Sequence, residues 1–376
     1  MRWQSIIKTT HIWLGLIFGV FVCLTCLSGS VAVFRSEFEA AFSPKVAPSE
    51  VYADLDAAVA RVLAANEGGE LTRVLLPAES RNSFILTLDS GEKRTRRIVV
   101  DAGTGAVAGE LNLPWLDWVI DLHHNLLFGR TGRRFVGGVG MVLLVASATG
   151  LLLSLLRRPS LKNLVTVRVN GPKIRTYYEL HRATGIWAYS FLTLLSFTGI
   201  GLAYPDTFRS VLGKAVPLPK AKHATEKSLK PLSEYLSVSR AWLKDAGLST
   251  ARLTEMRLPK SAKDPMIVRF HEPSDLGTIG RNEIAMDARG SVVGVRRIAG
   301  ETAGIRFQGA FTPVHYGEVG GLVVQVLWSL AGIAPSILFV TGLLFWLRKS
   351  PPRRGNNKSG KDASEVADEL SLPLHR

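Results

Sequence analysis

The stretch that decides the fold is Leu180–Pro205, LHRATGIWAYSFLTLLSFTGIGLAYP. It carries no charge from Ala183 to Tyr204, and a helix of about 20 apolar residues is long enough to cross a bilayer. His181 stands at its start. The stretch therefore predicts a membrane helix with an imidazole near one end.

A second stretch, HIWLGLIFGVFVCLTCLSGSVAVF, repeats this spacing from residue 11. The matching positions lie at offsets 0, +4, +18 and +23, and they are His11, Gly15, Gly29 and Phe34 in one copy and His181, Gly185, Gly199 and Tyr204 in the other. Eighteen residues make five helical turns, so the histidine and the second glycine share one face, about 27 Å apart along the axis. A glycine on that face leaves room for a backbone or a flat group to come close.

Two more apolar segments bring the number of predicted spans to four. Segments without a charge are Thr10–Phe34, Phe135–Leu156, Ala183–Tyr204 and Val319–Leu347. We therefore expect an α-helical membrane protein with spans 10–34, 135–156, 183–204 and 319–347. Basic residues concentrate in the loop 157–182 and after residue 347, which predicts that both regions, with the N-terminus, are cytoplasmic.

The segments 35–134 and 205–318 are then extracytoplasmic. Each contains a helical pattern followed by short alternating strands and Gly-rich turns, which predicts a small α+β domain. The chain is thus interpreted as a tandem duplication of span, outer domain and span. The tail, 348–376, is predicted to be cytoplasmic and disordered.

A second pair of histidines follows the outer domains. His123 and His315 each precede a glycine by six residues, and each is followed at +26 and +27 by a Thr-Gly dipeptide. This register selects His123 over His124, which matches Tyr316. Glycines and a proline interrupt the first of these segments, so we do not expect one continuous helix there. The histidines without a repeat partner are interpreted as incidental; they are His124, His223, His271 and His375.

The predicted topology places one histidine of each repeat at each membrane face. Two imidazoles per site do not suit structural zinc, which takes four protein ligands, but they suit haem iron, whose porphyrin leaves two axial positions. No C-x-x-C-H motif is present, so the haem would be non-covalent b-type. The sequence predicts two haems b with axial ligands His11 with His181 and His123 with His315. The alternative is that each histidine is a passive interface residue.

Other charged and reactive residues admit less specific interpretations. Haem propionates are anionic, so the basic residues at the right depth are candidate partners or, alternatively, orientation signals; they are Arg133, Arg134, Arg175 and Arg182. The net charge of +15 requires no nucleic-acid partner, because much of it belongs to the cytoplasmic segments. Cys23 and Cys26 lie inside the first span, where a thiol ionises poorly, so we interpret them as packing residues.

With these features the chain resembles the PepSY-associated transmembrane family, iron-regulated inner-membrane proteins that include FoxB-type ferric-siderophore reductases. The matching motifs are His11-x-x-x-Gly15, LHHNLLFG from Leu122, LHRATG from Leu180, HYGEVGG from His315 and TGLLFWLRK from Thr341. The outer segments resemble PepSY domains. The resemblance implies a bacterial inner-membrane location, periplasmic PepSY-like domains and, for the reductase members, haem-dependent reduction of Fe(III) held by a siderophore.

We therefore expect a haem-b reductase that passes electrons outward to a periplasmic ferric siderophore, so that Fe(II) is released. The electron donor is not identified, since the sequence has no flavin or nicotinamide fingerprint. Two alternatives remain open. One is a siderophore or metal permease, and the other is a membrane-anchored PepSY binding or inhibitor protein without redox activity.

Overall fold

A computed structural model describes residues 2–78, 81–91, 95–156, 160–213, 218–219, 230–261, 263–278 and 280–349. The predicted disordered tail lies outside the described residues from residue 350 onward, as do His223 and His375. The helices are α1 (Arg2–Ala32), α2 (Arg35–Phe42), α3 (Leu55–Ala64), α4 (Pro114–Asn125), α5 (Gly129–Leu155), α6 (Leu161–Val165), α7 (Lys173–Ala203), α8 (Pro205–Leu212), α9 (Leu232–Asp245), α10 (Ala303–His315) and α11 (Gly321–Lys349). The strands are β1 (Glu70–Leu75), β2 (Ser83–Asp89), β3 (Thr95–Asp101), β4 (Val107–Glu110), β5 (Arg252–Arg257), β6 (Met266–His271), β7 (Asn282–Met286) and β8 (Val292–Arg296).

Among the described residues, four helices are long and apolar enough to cross a membrane, namely α1, α5, α7 and α11. The predicted four-span membrane protein is confirmed. The helices extend beyond the charge-free segments; α5, for example, begins six residues before Phe135. The extension is physically reasonable, because arginines at a helix end can reach the headgroup layer while the backbone stays helical.

The four long helices form a bundle in which α1 and α7 each pack against both α5 and α11. Small residues allow the backbones to approach closely: a Cβ on Gly332 of α11 would overlap Ser30 of α1, whose Oγ donates to Ser329 O at 2.9 Å. Large apolar side chains such as Trp13 and Ile17 are more than half exposed in the protein alone. Such an outward apolar surface suits contact with lipid.

The strands form one antiparallel sheet in the order β4-β3-β2-β1-β5-β6-β7-β8. The sequence predicted two small sheets, one in each outer domain. They are joined at their edges, because β1 pairs with β5 through Arg73–Arg257, Val74–Met256 and Leu75–Glu255. Edge pairing satisfies the N–H and C=O groups that each separate sheet would leave open.

One side of the sheet is apolar across the β1–β5 junction. Directly paired residues share one side of a sheet, and one paired row runs through Ile98, Leu86, Val74, Met256, Val268 and Ile284. These side chains form a common core with α3 and α9, which cover this side. The two outer segments therefore share the hydrophobic core on this side of the sheet.

The opposite side of the sheet packs against α4 in its first half. In the first half, Ile85 and Val99 of this side pack with Leu116 and Ile120 of α4. Partly buried side chains from α2 and the end of α1 complete this smaller core. Because α4 also carries His123, the sheet fixes the helix that positions this histidine.

Candidate functional site

His11 and His181 meet inside the bundle at the end farther from the sheet, and we call them the sheet-distal pair. His11 lies on α1 and His181 on α7, the two helices that face each other across α5 and α11. Their ring centroids are 6.0 Å apart and the rings are nearly perpendicular, at 88°. The structure therefore brings these two predicted site residues together.

Each ring of the sheet-distal pair is held by a neighbouring helix through its Nδ1 atom. His11 Nδ1 lies 3.1 Å from Ala146 O and 3.1 Å from Thr149 Oγ1 on α5. His181 Nδ1 lies 2.9 Å from Leu338 O and 3.3 Å from Thr341 Oγ1 on α11. The second half of the chain thus repeats the contacts of the first.

His123 and His315 meet near the sheet, and we call them the sheet-proximal pair. Their ring centroids are 6.1 Å apart, at 33°. They lie on α4 and α10, which end before α5 and α11 begin. The break after α4 passes through Leu126 and Leu127, which have left-handed backbone conformations. The helix interruption expected from the sequence is therefore present. His123 and His315 each lie on a short helix that is separate from the following membrane helix.

Nδ1 atoms hold the sheet-proximal rings as well. His123 Nδ1 lies 2.7 Å from Thr25 O on α1. His315 Nδ1 lies 2.9 Å from Thr198 Oγ1 on α7, and that hydroxyl itself donates to Leu194 O at 2.8 Å. The structure brings His123, and not His124, into this pairing, as the sequence register indicates.

Four glycines make room for the four rings. An added Cβ on each glycine would lie 2.7–3.1 Å from the Cε1 atom of one histidine; the pairs are Gly29 with His123, Gly150 with His11, Gly199 with His315 and Gly342 with His181. Each of these glycines follows a serine or threonine in the sequence. The repeat spacing identifies these glycines in the sequence and predicts room for a backbone or a flat group beside Gly29 and Gly199. In the structure each of the four glycines accommodates a histidine ring from another helix.

The Nδ1 contacts determine which ring nitrogen is available. A backbone carbonyl only accepts, so Nδ1 of His11, His123 and His181 must carry the proton, and Nε2 is left as a lone-pair donor. Metal-binding histidines typically donate their other N–H to a carbonyl in this way. His271 shows the opposite arrangement, since its Nε2 contacts Gly277 O at 2.9 Å.

The sheet-proximal rings are also electrically neutral. Burial, with smaller contributions from neighbouring His123 and His124, lowers the pKa of His315 to about 3. Burial also lowers the pKa of His123. A neutral imidazole is the form that binds a metal, so the environment favours the ligand-competent state.

The ring spacing fits an iron between two imidazoles. Metal–nitrogen bonds of about 2.0 Å and about 1.1 Å from nitrogen to ring centre place two opposed centroids roughly 6 Å apart. Among the described residues, no three His, Cys, Asp or Glu side chains converge as a metal site. Each pair could therefore supply two ligands, which would suit a metal whose other positions are already filled, as in haem.

A cavity of about 380 Å³ contains the sheet-proximal pair, within the size range of cofactor sites. Apolar and small residues from α1, α5, α7 and α11 form most of its wall. Polar and aromatic members include Arg35, Arg133, His124, Tyr316, Glu318 and Trp328. Its composition fits a flat apolar macrocycle with acidic groups at one edge.

Some cavity residues were missed in the sequence. Arg35 begins α2, and no sequence motif singles it out as a cavity residue. His124 was interpreted as incidental, yet it lines the cavity, with its ring centroid 5.7 Å from that of His123. The repeat alignment offers a signal for His124, because it matches His124 with Tyr316, a second polar aromatic residue that lines the same cavity.

The four arginines considered for propionates have different positions. Arg133 lines the cavity and donates to Leu202 O at 2.7 Å. Arg175 pairs with Glu179 at 3.1 Å. Arg182 lies next to His181 in sequence and stacks on Tyr178. Arg133 and Arg134 are both exposed, but of the four arginines Arg133 alone lines the sheet-proximal cavity, so its placement best suits this role there.

Two other features lie outside these sites. Cys23 and Cys26 are free thiols, and Cys23 Sγ lies 3.8 Å from Pro335 O at the contact between α1 and α11. A larger groove of about 850 Å³ lies between α3 and α9. None of the four paired histidines lines it, so it does not belong to the histidine sites.

Comparison with known proteins identifies relatives of the chain. The profile of the family described as the PepSY-associated TM region matches residues 9–349. An uncharacterized protein of Pseudomonas aeruginosa is 27% identical over 266 residues, covering 63% of this chain. The chain spans 64% of the length of that relative.

Proposed function

This chain belongs to the PepSY-associated transmembrane family, and on that premise we propose that it is a haem-b-containing inner-membrane reductase. It passes electrons across the membrane to a periplasmic Fe(III)-siderophore and releases Fe(II) for iron uptake. Its two haems are held by His11 with His181 and by His123 with His315. Haem iron with two axial histidines exchanges one electron at a time.

The observation that supports this proposal is the shared setting of the four histidines. Each histidine ring packs against a glycine of another helix, and its Nδ1 contacts an oxygen atom of a neighbouring helix. The ring centroids within each pair lie about 6 Å apart. A passive interface histidine needs none of these features, since its polar tip is free to reach headgroups. The combination at both ends of the bundle favours ligation.

The remaining residues orient the cofactors and shield them from water. Hydrogen bonds to Ala146 O and Leu338 O fix the sheet-distal rings, and those to Thr25 O and Thr198 Oγ1 fix the sheet-proximal rings. Arg35 and Arg133 at the sheet-proximal cavity carry the charge that suits propionates. No acid–base residue is required, because the substrate Fe(III) gains one electron and no covalent bond of the siderophore is broken when Fe(II) leaves it.

We propose further that the chain arose by tandem duplication and that the sheet is periplasmic. The repeated contacts of the histidines support the first statement. Basic residues in the loop 157–182 support cytoplasmic placement of that loop, which puts the sheet on the periplasmic side, where a ferric siderophore arrives. The sheet-proximal pair is then the electron exit and the sheet-distal pair the entry.

Reduction can be tested directly. The purified full chain is reduced chemically, freed of excess reductant and mixed anaerobically with a ferric trihydroxamate and a ferrous-iron trap. Reoxidation of the haem should coincide with trapped Fe(II), and the His315→Ala protein should lose most of this activity. If no Fe(II) appears with several siderophores, the reductase proposal is wrong, and the permease or the anchored binding protein becomes the better hypothesis.

A further inference from the structure

The sheet side that packs against α4 in the first half changes from apolar to charged at the β1–β5 junction. One directly paired row runs across it through Val99, Ile85, Leu75, Glu255, Arg269, Glu283 and Arg296. The first three residues are apolar and the last four are charged. In the first half this side is filled by α4, whereas in the second half arginines and glutamates occupy the equivalent positions.

The charged part of this side carries an excess of arginine. Glu255 is fully buried and ion-paired with Arg73, Arg257 and Arg269, and Glu283 pairs with Arg269 and Arg296. Four arginines thus surround two glutamates, leaving two positive charges in excess. We call these six residues the arginine row.

The guanidinium groups of the arginine row are accessible while the carboxylates are not. The arginine side chains are between 20% and 44% exposed, and the glutamate side chains at most 8%. The buried glutamates hold the arginines in place, and the surface that solvent meets is cationic. Planar guanidinium groups held in this way suit anionic oxygen ligands.

The hairpin between β6 and β7 connects the arginine row with the histidine cavity. Thr278 N donates to Glu318 Oε2 at 3.1 Å. Gly277 approaches α10, since an added Cβ would lie 3.1 Å from Pro313 Cβ. Glu318 lines the cavity that contains His123 and His315. The hairpin therefore places the charged part of the sheet next to the mouth of that cavity.

Arg281, at the end of this hairpin, supplies a further cation at the junction. It is partly buried and lies beside α10, since an added Cβ on Gly309 would lie 3.8 Å from its Nη1. The charged and ionisable groups within electrostatic range are Arg269, Glu283, Tyr316 and Glu318. Among the residues that the structure describes, none forms an ion pair or hydrogen bond with its guanidinium. Glu283 is already paired with Arg269 and Arg296, and Glu318 accepts from Thr278 N. An anion that binds here would therefore give the Arg281 guanidinium a direct partner that neither carboxylate provides.

We propose that the arginine row and Arg281 form a binding surface for anionic ferric chelates, which it presents to the cavity containing His123 and His315. The inference rests on the proposed reductase function and adds to it the site and charge class of the substrate. Chelates with free carboxylates or with a net negative charge, such as iron catecholates, bind better than neutral trihydroxamates of the same size.

The test measures binding without electron transfer. Gallium(III) replaces Fe(III) because it is not reduced under these conditions, and the probes are a trianionic gallium tris-catecholate and a neutral gallium trihydroxamate. The haem-loaded full chain is titrated with each probe by calorimetry at low and high salt. We expect tighter binding of the anionic probe, weakened by salt, and about tenfold weaker binding in Arg281→Gln with unchanged haem content. Arg96→Gln, at an exposed ion pair in the first half, is the matched control and should bind normally.

Three outcomes would overturn the proposal: equal, salt-independent affinity for the two probes; normal binding of the anionic probe by Arg281→Gln; or loss of haem from that variant, which would assign Arg281 to the cofactor. The salt series on the unmodified protein decides the matter if Arg281→Gln does not fold. The gallium probes measure binding only, whereas the Fe(II) trap measures reduction of the iron chelates. If the anionic probe binds selectively but no Fe(II) is released, the reductase proposal is refuted and the proposed binding surface is retained.

Discussion

At the scale of single residues, Gly29 is the position on which the sheet-proximal site depends most directly. An added Cβ would lie 2.7 Å from His123 Cε1 and 2.8 Å from its Nδ1, and the ring is held in place by Thr25 O. Gly29→Val should therefore displace the ring and reduce the haem content from about two to about one per chain. The measurement is the haem-to-protein ratio of the purified variant.

Gly138→Val is the matched control, because an added Cβ there meets nothing within 4 Å. Valine has a better helix propensity than glycine, so neither change should weaken its helix. Retention of both haems by Gly29→Val would show that His123 is not held against this glycine.

The choice between adjacent histidines is a second residue-scale prediction. His123 pairs with His315 and bonds to α1, whereas His124 only lines the cavity. His123→Ala and His315→Ala should each remove the same haem, and His124→Ala should retain both with at most a small spectral shift. Haem loss from His124→Ala together with retention in His123→Ala would contradict the assignment.

At the scale of elements, the junction between β1 and β5 depends on the buried carboxylate of Glu255. Burial acts to raise the pKa of Glu255, but hydrogen bonding to Arg257 and the charges of Arg73, Arg257 and Arg269 outweigh it and lower the pKa. A lowered folded-state pKa means that the ionised form stabilises the fold. This contribution is complete above pH about 4.3, the unfolded value, and is lost as pH falls through the lowered pKa.

Glu255→Gln should destabilise the centre of the sheet by about 1–3 kcal/mol, because three arginines lose their shared partner. Hydrogen–deuterium exchange of the β5 and β6 amides at pH 7 measures this change. Glu110→Gln, which breaks the exposed pair with Arg96, should cost less than about 1 kcal/mol. Equal protection of β5 in the two variants would refute the role of Glu255.

At the scale of the whole molecule, the orientation in the membrane is testable. In a background with Cys23→Ala and Cys26→Ala, Ser274→Cys in the β6–β7 hairpin should react with an impermeant maleimide in intact spheroplasts. Lys162→Cys, in the loop between α5 and α7, should react only after permeabilisation. The reverse pattern would place the sheet in the cytoplasm and contradict an outward path for electrons.

The sequence predicts the bundle well, because a membrane span leaves a long apolar run with few competing interpretations. The pairing of the histidines also follows from it, since repeat spacing and sidedness are local properties. The β1–β5 junction could not be predicted, because strands so far apart in the chain share no turn that fixes their register. The contacts between each glycine and a histidine of another helix depend on helix packing, as does the position of Arg281.

The proposed function depends above all on the binding of two haems b by two pairs of histidines. The most direct measurement is the visible absorption spectrum and haem count of the full chain purified from haem-replete cells. We expect a low-spin bis-histidine b-type spectrum with about two haems per chain, falling to about one in His181→Ala. Colourless protein from such cells, or a haem content unaffected by replacing any of the four histidines, would contradict it.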